Sequence, residues 1–346
     1  CNTYNADFDG DEMNVHMCQT ELARAEAYEI AATHQQYIVP TNGKPLRGLI
    51  QDHVVMGVNL TKRDTFLERG MVMQLLMLAQ IDLAPGESIK PLPIPAILKP
   101  RPLWTGKQVI THLLAHLHPD ACTLTCEHGT KTAASAWTGM YGGKADPDDG
   151  KVIVRHGELL CGVLDKSAFG ASEFGLVHCV YELLGGEPTG KFLTQLGRLF
   201  TGCNHIFGMT CGIEDLLLTP EADASRLGLV RKGSGLGDAG VKAFLGKSAP
   251  EDGADRADVR KAVAARLKAH VGGPGGELGG AMLDGSVKEK LMPLSSEIAA
   301  ACLPGGQRVP FPRNNFAMMT STGAKGGNVN FSQMSALLGQ QELEGR

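Results

Sequence analysis

The chain has 346 residues, of which 43% are hydrophobic and 20% are charged, and its formal net charge is −4. This length and apolar content are sufficient for two or three domains with buried cores. The sequence lacks the overall basic excess of an autonomous nucleic-acid-binding domain, the roughly 18 consecutive apolar residues of a membrane span, and the features of a signal peptide, so no membrane partner is expected.

The N-terminal third predicts a loop, a helix and then short extended segments. Residues 1–19 form a polar, carboxylate-rich loop, and Thr20 is suited to cap an alanine-rich helix that runs to about Thr33. Residues 36–60 contain short apolar runs broken by proline, asparagine and glycine, which indicates strands joined by turns in a compact β or mixed unit. Residues 84–107 contain six prolines and predict an extended connection.

The middle of the chain predicts a loop, a hairpin and a helix. Residues 129–150 are small, glycine-rich and charged, which indicates a mobile loop. The sequence KVIVRHGELLCGVL that follows has two apolar runs around His156 and Gly157, the pattern of a β-hairpin. After Pro188, apolar residues recur at helical spacing up to Phe207 and predict a helix with one buried face.

Two glycine-rich stretches, residues 219–250 and 270–285, predict loops around a helix from Glu251 to His270. A second helix is predicted from Gly285 to Cys302, and the two helices would form an αα-hairpin without evident chemistry.

Two other patterns resemble ligand sites but lack an essential member. Cys122, Cys126 and His128 supply three candidate metal ligands without an obvious fourth, so no zinc is expected. Gly185, Gly190 and Lys191 satisfy the GxxxxGK spacing, but Phe192 stands where a phosphate-binding loop needs serine or threonine.

The strongest candidate for chemistry is the loop NADFDGDEMNVH. Asp7, Asp9 and Asp11 occupy alternate positions, so an extended backbone would place three carboxylates on one side. Such carboxylates repel one another unless a divalent cation neutralises them, and hard oxygen ligands favour Mg²⁺ over zinc. An EF-hand is disfavoured because its sixth and twelfth positions would be Glu12 and Cys18. A solvated acidic turn is the alternative for a generic DxDxD pattern.

The residues NADFDGD match the active-site signature of the largest subunits of multisubunit RNA polymerases, and this chain resembles that family. The segments KPLRGLIQDHVVMGVNLTKRDTF and PAILKPRPLWTGKQ resemble the pore region that follows the active site in those subunits. GELLCGVLDKSAFGASEFGLVHCVYELLGG and MTCGIEDLLLT are most similar to the polymerase I member of the family, so we expect an internal segment of such a subunit.

The resemblance implies that Asp7, Asp9 and Asp11 hold the catalytic Mg²⁺ and that a second Mg²⁺ arrives with the nucleotide, the two-metal arrangement for phosphoryl transfer. It also implies that Asn5 contacts the RNA or the incoming nucleotide. The segment NNFAMMTSTGAKGGNVNFSQMSALLGQQELEGR resembles the lining of the channel through which nucleotides enter. The further RNA- or substrate-binding candidates there are Lys325, Gln333, Gln340 and Gln341.

The fold implied by the resemblance is α+β and has four parts. Residues 1–35 would be the active-site loop and the end of a double-psi β-barrel, and residues 36–215 a mixed α/β pore region. Residues 216–310 would form a funnel region with two helices and glycine-rich loops, and residues 311–346 a secondary-channel segment leading toward a bridge helix.

The function implied is template-directed nucleotidyl transfer from ribonucleoside triphosphates to an RNA 3′ end, as in ribosomal RNA synthesis by polymerase I. The expected partners are the second-largest subunit, other polymerase subunits, DNA and RNA, and the expected location is the nucleus, in the nucleolus. Alternatives are the polymerase II or III counterpart and a folded module that is inactive outside the complex. A stand-alone Mg²⁺-dependent phosphohydrolase would need its own base or nucleophile beside the aspartates, and none is identifiable.

Overall fold

The computed structural model describes residues 4, 6–7, 9–81, 83, 88–138, 140, 146–250, 254–271, 278–341 and 343. The chain divides into two compact units. Unit 1 comprises Cys1–Cys211 and Phe311–Gly327, and unit 2 comprises Gly212–Pro310 and Asn328–Arg346. Helices and small antiparallel sheets are both present, so the α+β class is confirmed. No helix in the described ranges is long and apolar enough to cross a membrane.

Unit 1 begins with the predicted capped helix. Helix α1 spans Glu21–Glu26, and Thr20 caps it by accepting a hydrogen bond from the backbone N–H of Ala23 at 3.2 Å. The helical path continues as a π-helical turn over Ala27–Ala31 and a 3₁₀ turn over Thr33–Gln35. The start of the predicted helix is therefore confirmed, whereas its regular α-helical hydrogen bonding ends earlier than expected.

Residues 36–60 form a mixed unit, which was one of the two expected alternatives, and the predicted strands are wrong from Asp52 onward. An isolated bridge pairs Ile38 with Pro45, and helix α2 occupies Asp52–Thr61. Val54, Val55 and Val58 favour strands locally, but all three are buried in the core of unit 1. Burial of these side chains on one helix outweighs their weak local preference.

The next part of unit 1 joins a short sheet to two helices. Its elements are β1 (Phe66–Glu68), α3 (Arg69–Ala79), β2 (Leu103–Thr105) and α4 (Gly106–Ala115). Strands β1 and β2 pair antiparallel, and Thr105 and Gln108 form a capping box at the start of α4. Residues 88–102 contain no helix, which confirms the predicted extended connection as far as β2, whereas Gly106 and Lys107 at its end belong to α4.

A three-stranded antiparallel sheet follows. Its strands are β3 (Cys126–Gly129), β4 (Lys151–Arg155) and β5 (Glu158–Cys161), in the order β3-β4-β5. The predicted hairpin of β4 and β5 is confirmed, and His156 and Gly157 make its turn with φ of 53° and 79°. The described part of residues 129–150 holds two 3₁₀ turns and the buried side chains of Trp137 and Asp149, so much of this predicted loop is packed.

The first segment of unit 1 ends with three helices, and a fourth helix of this unit follows later in the chain. They are α5 (Lys166–Phe169), α6 (Leu176–Leu184), α7 (Gly186–Phe207) and α11 (Asn315–Thr322). The predicted helix after Pro188 is α7, and its apolar face buries Phe192, Leu196 and Phe200. Because residues 186–191 are the first turns of α7, the GxxxxGK pattern does not form a phosphate-binding loop.

Unit 2 is mainly helical, and its first glycine-rich stretch is not the predicted loop. Its α-helices are α8 (Pro220–Leu245), α9 (Arg256–Val271), α10 (Leu278–Cys302) and the shorter α12 (Asn328–Ser335). The helical hairpin is formed by α8 and α10, and not by the two helices that the sequence predicted. Gly240 allows the close approach, because a Cβ there would lie 2.7 Å from the Cα of Val287.

Candidate functional site

The aspartate loop lies at the start of unit 1. Asp7, Asp9 and Asp11 are all exposed, and the backbone N–H of Asp7 donates to Oδ2 of Asp11 at 3.0 Å. Asp9 and Gly10 form a turn, and Gly10 has a φ of 128°, a value that favours glycine. The loop therefore folds back on itself at Gly10, and the expected continuous extended backbone is wrong at this point.

The three carboxylates supply the hard oxygen donors that Mg²⁺ prefers, so the donor set fits this ion chemically. Within the described residues, however, no three His, Cys, Asp or Glu side chains are gathered as ligands of a metal ion. The loop thus offers the donors without a preformed cluster. Asn5, the neighbouring candidate, lies outside the described residues.

The segment after the loop leaves large apolar side chains uncovered. Val15 is 97% exposed, Met17 is 83% exposed and Leu22 is 81% exposed. Helix α1 contains no buried residue. No strand is assigned to the described residues of 1–35, so the expected barrel is not formed by this part of the chain alone.

The three candidate glutamines lie together in unit 2. Gln333 lies on α12, and Gln340 and Gln341 follow that helix. All three line one cavity of about 280 Å³. Lys288 and Ser295 on α10 line the same cavity, so the glycine-rich hairpin contributes polar groups that the sequence reading missed. Lys288 and Ser295 lie some 40 residues before the glutamines along the chain, so the sequence did not indicate that these side chains are close together in the fold.

Lys325 belongs to unit 1, in the turn after α11. Its side chain is exposed, and its backbone N–H donates to the carbonyl of Met319 at 3.3 Å. Gly323 and Gly326 on either side have φ of 78° and 73°. The glycines flanking Lys325 thus shape a tight turn that holds this lysine at the surface of unit 1.

The candidate zinc ligands have other contacts. Cys126 forms a side-chain hydrogen bond with Cys179, and this contact together with burial raises the pKa of the Cys126 thiol. Nδ1 of His128 lies 3.1 Å from the carbonyl oxygen of Gly129. Cys122 is exposed and donates to the carbonyl of Pro119.

Lys107 and Asp149 belong to a partly buried charge cluster that sequence reasoning did not identify. The Nζ of Lys107 donates to the carbonyl of Thr61 at 2.5 Å, and burial lowers the pKa of Lys107 to about 8. Nε of Arg63 lies 2.8 Å from Oδ1 of Asp149, and burial raises the pKa of that carboxyl. These contacts link α4 to the end of α2, and the segment just after α2 to the turn before β4.

Three parts of the chain match models of known protein families. Residues 36–216 match the family described as RNA polymerase Rpb1, domain 3, residues 1–33 match domain 2 of the same protein, and residues 282–346 match domain 4. The aspartate loop falls within the domain 2 match, and the glutamine-lined cavity within the domain 4 match.

Individual relatives agree with these matches. Over its full length the chain is 46% identical to the DNA-directed RNA polymerase I subunit rpa1 of Schizosaccharomyces pombe and 43% identical to that of Dictyostelium discoideum. Over 99% of its length it is 40% identical to the DNA-directed RNA polymerase I subunit RPA190 of Saccharomyces cerevisiae. The chain spans about a fifth of the length of each of these relatives, namely 20%, 21% and 20%.

Proposed function

Because the chain belongs to the RNA polymerase Rpb1 family, we propose that it supplies the catalytic segment of the largest subunit of a DNA-directed RNA polymerase. The reaction is template-directed transfer of a nucleotidyl group from a ribonucleoside triphosphate to an RNA 3′ end, with release of pyrophosphate. The observation that carries the proposal is that the family match includes the aspartate loop at residues 1–33 as well as the large domain at residues 36–216.

Asp7, Asp9 and Asp11 hold Mg²⁺ in this proposal. When bound, Mg²⁺ stabilises negative charge on the reacting oxygens and on the transferred phosphorus group, with a second ion accompanying the nucleotide. The protein supplies three carboxylates on a turn that includes Gly10. These carboxylates repel one another, and the bound cation relieves that repulsion. Asn5 is assigned to the RNA end or the incoming nucleotide.

The other candidate residues act on the path of the nucleotide. Lys325 provides an exposed cation suited to a triphosphate, because charge-assisted hydrogen bonds to phosphate are strong. Gln333, Gln340 and Gln341 present amide groups in one cavity, together with Lys288. Amides and an ammonium group can donate hydrogen bonds to phosphate or ribose oxygens without a fixed negative charge that would repel them.

The architecture proposed for the assembled subunit follows the four segments expected from the sequence. Residues 1–35 contribute the active-site loop and the end of a double-psi barrel, and residues 36–215 line the pore. Residues 216–310 form the funnel with its helical hairpin, and residues 311–346 line the secondary channel. The exposed Val15 and Met17 support this assignment, because strands from elsewhere in the assembly would cover them.

The partners proposed are the second-largest subunit, other polymerase subunits, the DNA template, RNA and ribonucleoside triphosphates. Similarity to the polymerase I subunits of three distant eukaryotes supports synthesis of ribosomal RNA, and therefore a nuclear, nucleolar location. Polymerase II and III counterparts are the alternative classes.

The second candidate function is a folded module without activity of its own. The specific observation that favours it is the exposed aspartate loop without a gathered ligand set in the described residues. Under this alternative the chain acquires magnesium and activity only in the complete enzyme.

The test is the substitution Asp9→Ala in the assembled polymerase. We expect RNA extension to fall at least about a hundredfold, because a group that stabilises transition-state charge has been lost. Extension is measured with a preformed primer–template scaffold, and assembly is measured by co-purification of the subunits.

The matched control is Asp238→Ala, which removes an exposed carboxylate from α8. Control and parent enzymes should extend RNA equally. Extension by the Asp9→Ala enzyme within a fewfold of the control would refute the role of this aspartate.

A further inference from the structure

Two cysteines of unit 1 that are far apart in the sequence meet in the fold. Cys126 is the first residue of β3, and Cys179 lies one turn into α6, about 50 residues further along the chain. Their side chains form a hydrogen bond with each other. We name Cys126 and Cys179 the thiol pair.

Each member of the thiol pair belongs to a regular element. The backbone of Cys126 pairs with that of Val154 in the three-stranded sheet. The backbone N–H of Cys179 donates to the carbonyl of Gly175 at 3.0 Å, which is a hydrogen bond of the first turn of α6. The contact between the two sulfur atoms is therefore set by the packing of β3 and α6.

Helix α5 anchors both of these elements. Oγ of Ser167 on α5 donates to the carbonyl of Gly129, the last residue of β3, at 2.9 Å. Gly175, which precedes α6, lies so close to α5 that a Cβ there would collide with the carbonyl oxygen of Ser167. Because β3 and α6 are both held against one short helix, the thiol pair is held together in the native fold.

The thiol pair is half-buried. Both side chains pack against the apolar core of unit 1, and a part of each residue remains exposed. Cys203, in contrast, is buried, and Cys122 is exposed. A small reagent can therefore reach the thiol pair, whereas the thiol of Cys203 is protected.

The hydrogen bond makes the two thiols unequal. It lowers the pKa of Cys179, against the opposing effects of burial and of Glu182. The same contact and burial raise the pKa of Cys126, while Arg155 acts in the opposite direction. The start of α6 also favours a negative charge on Cys179. The thiolate is the form of cysteine that reacts with oxidants, so Cys179 is the first sulfur to be attacked.

A metal ion is a poorer match to the thiol pair than a disulfide is. Zinc sites in proteins use three or four side-chain ligands. In the part of the chain that the structure describes, no third histidine, cysteine, aspartate or glutamate is gathered with two others as a metal ligand. Two neighbouring thiols are sufficient for a disulfide without any further ligand.

We propose that Cys126 and Cys179 form a reversible oxidation site, at which hydrogen peroxide converts the two thiols to a disulfide that links β3 to α6. In compartments that keep thiols reduced, disulfides are usually transient and redox-sensing, so reversal by a dithiol is part of the proposal. The site does not involve the aspartate loop or RNA synthesis, and it can be tested without an activity measurement.

The oxidation has two steps. The Cys179 thiolate attacks one oxygen of hydrogen peroxide, so that an S–O bond forms, the O–O bond breaks, and hydroxide leaves and takes up the proton that Cys179 released. The sulfur of Cys126 then attacks the sulfenic acid of Cys179, so that the S–S bond forms and the S–O bond breaks. The hydroxide that leaves takes the proton of Cys126. Two thiols and one peroxide thus give a disulfide and two water molecules.

The experiment is peptide mapping of the assembled polymerase after exposure to hydrogen peroxide. The remaining free thiols are alkylated, the protein is digested without reductant, and linked peptides are identified by mass spectrometry. We expect one cross-linked product that joins Cys126 to Cys179, with a yield that saturates as the peroxide concentration rises. Treatment with dithiothreitol should return both cysteines to the alkylatable form.

Two variants separate the steps. Cys126→Ser removes the sulfur that resolves the sulfenic acid, so trapping of Cys179 by dimedone should rise at least about fivefold over the parent. Cys179→Ser should give neither the disulfide nor the trapped product. Cys122→Ser is the matched control, because it removes an exposed thiol from the same part of the chain, and its yield of the Cys126–Cys179 product should equal that of the parent.

The parent enzyme alone is sufficient to overturn the proposal, whether or not the variants assemble. Full alkylation of Cys126 and Cys179 after peroxide treatment would do so. Cross-links distributed among the exposed Cys18, Cys122 and Cys211 at the same peroxide concentration would also do so, because exposure and not the contact between two thiols would then decide which cysteines react.

Discussion

Unit 1 and unit 2 bury very different side chains. The core of unit 1 contains large residues that are wholly buried, including Trp137, Phe169 and Phe200. The buried cluster of unit 2 consists of Leu294, Ile298, Cys302 and Ala336, and Phe244 and Leu245 are also buried in that unit. One unit is held together by large interlocking side chains, whereas the other relies on two long helices that approach closely.

This difference shows that glycine has opposite effects at different positions of one helix. In α8, Gly240 faces the backbone of α10, and Ser286 donates to its carbonyl at 2.9 Å. Gly235, only five residues away, has no atom within 4 Å of the place where a Cβ would lie. Some glycines of unit 2 are therefore required for packing, while others only weaken the helix.

The largest expected effect on stability is in the core of unit 1. Phe200 is fully buried, and its ring centroid lies 5.2 Å from that of Phe169. Phe200→Ala should lower the free energy of unfolding of unit 1 by about 3–5 kcal/mol, since it removes apolar contacts and leaves a cavity. Hydrogen–deuterium exchange of α7 in the assembled polymerase measures this loss. Unchanged protection of α7 would contradict the claim that large buried side chains hold unit 1 together.

A second prediction concerns the stability of unit 1 at acidic pH. Burial lowers the pKa of His112 to about 4 from its usual 6.5. The unfolded chain therefore binds a proton at higher pH than the folded one, and unit 1 should lose stability as the pH falls from 6.5 to 4. The loss attributable to His112 is at most about 3 kcal/mol. Above pH 6.5 this residue contributes no pH dependence.

The measurement compares the parent with His112→Gln by hydrogen exchange of α4 at several pH values. The difference between the two proteins should change across pH 4 to 6.5 and remain constant above it. A constant difference over the whole range would mean that His112 is protonated equally in both states.

The smallest effects should come from the paired glycine substitutions, which sharpen the comparison within unit 2. Gly240→Ala should destabilise the hairpin by about 1–3 kcal/mol, because its Cβ would meet the backbone of α10. Gly235→Ala should stabilise it by about 1 kcal/mol, because alanine favours the helix and meets no atom there. The exchange protection of α8 and α10 should decrease in Gly240→Ala and increase in Gly235→Ala. A shift in the same direction in both variants would contradict the packing assigned to Gly240.

The sequence predicted elements best where local pattern and tertiary packing agree. Thr20 was recognised as a helix cap, His156 and Gly157 as a hairpin turn, and the apolar face of α7 as buried, and each is confirmed. In these cases the residues that set the local conformation also make the long-range contacts. The family was also correctly recognised from the aspartate loop and the pore segments.

Prediction failed where distant packing decides the outcome. The short apolar runs of residues 36–60 suggested strands, and the glycines of residues 219–250 suggested loops. Both segments are helices because α2 is buried in the core and α8 packs along α10. The proximity of Lys288 to Gln333 and Gln340 could not be predicted from the sequence either, because it depends on how α10 packs against α12.

The order of segments along the chain has a consequence for synthesis on the ribosome. Unit 1 is interrupted after Cys211 and resumes at Phe311, and α11 then adds Met318 to its core. The residues between must be translated first, which at about 5–20 residues per second takes on the order of 5–20 seconds. Until α11 has been made, the core of unit 1 lacks Met318 and cannot be completed.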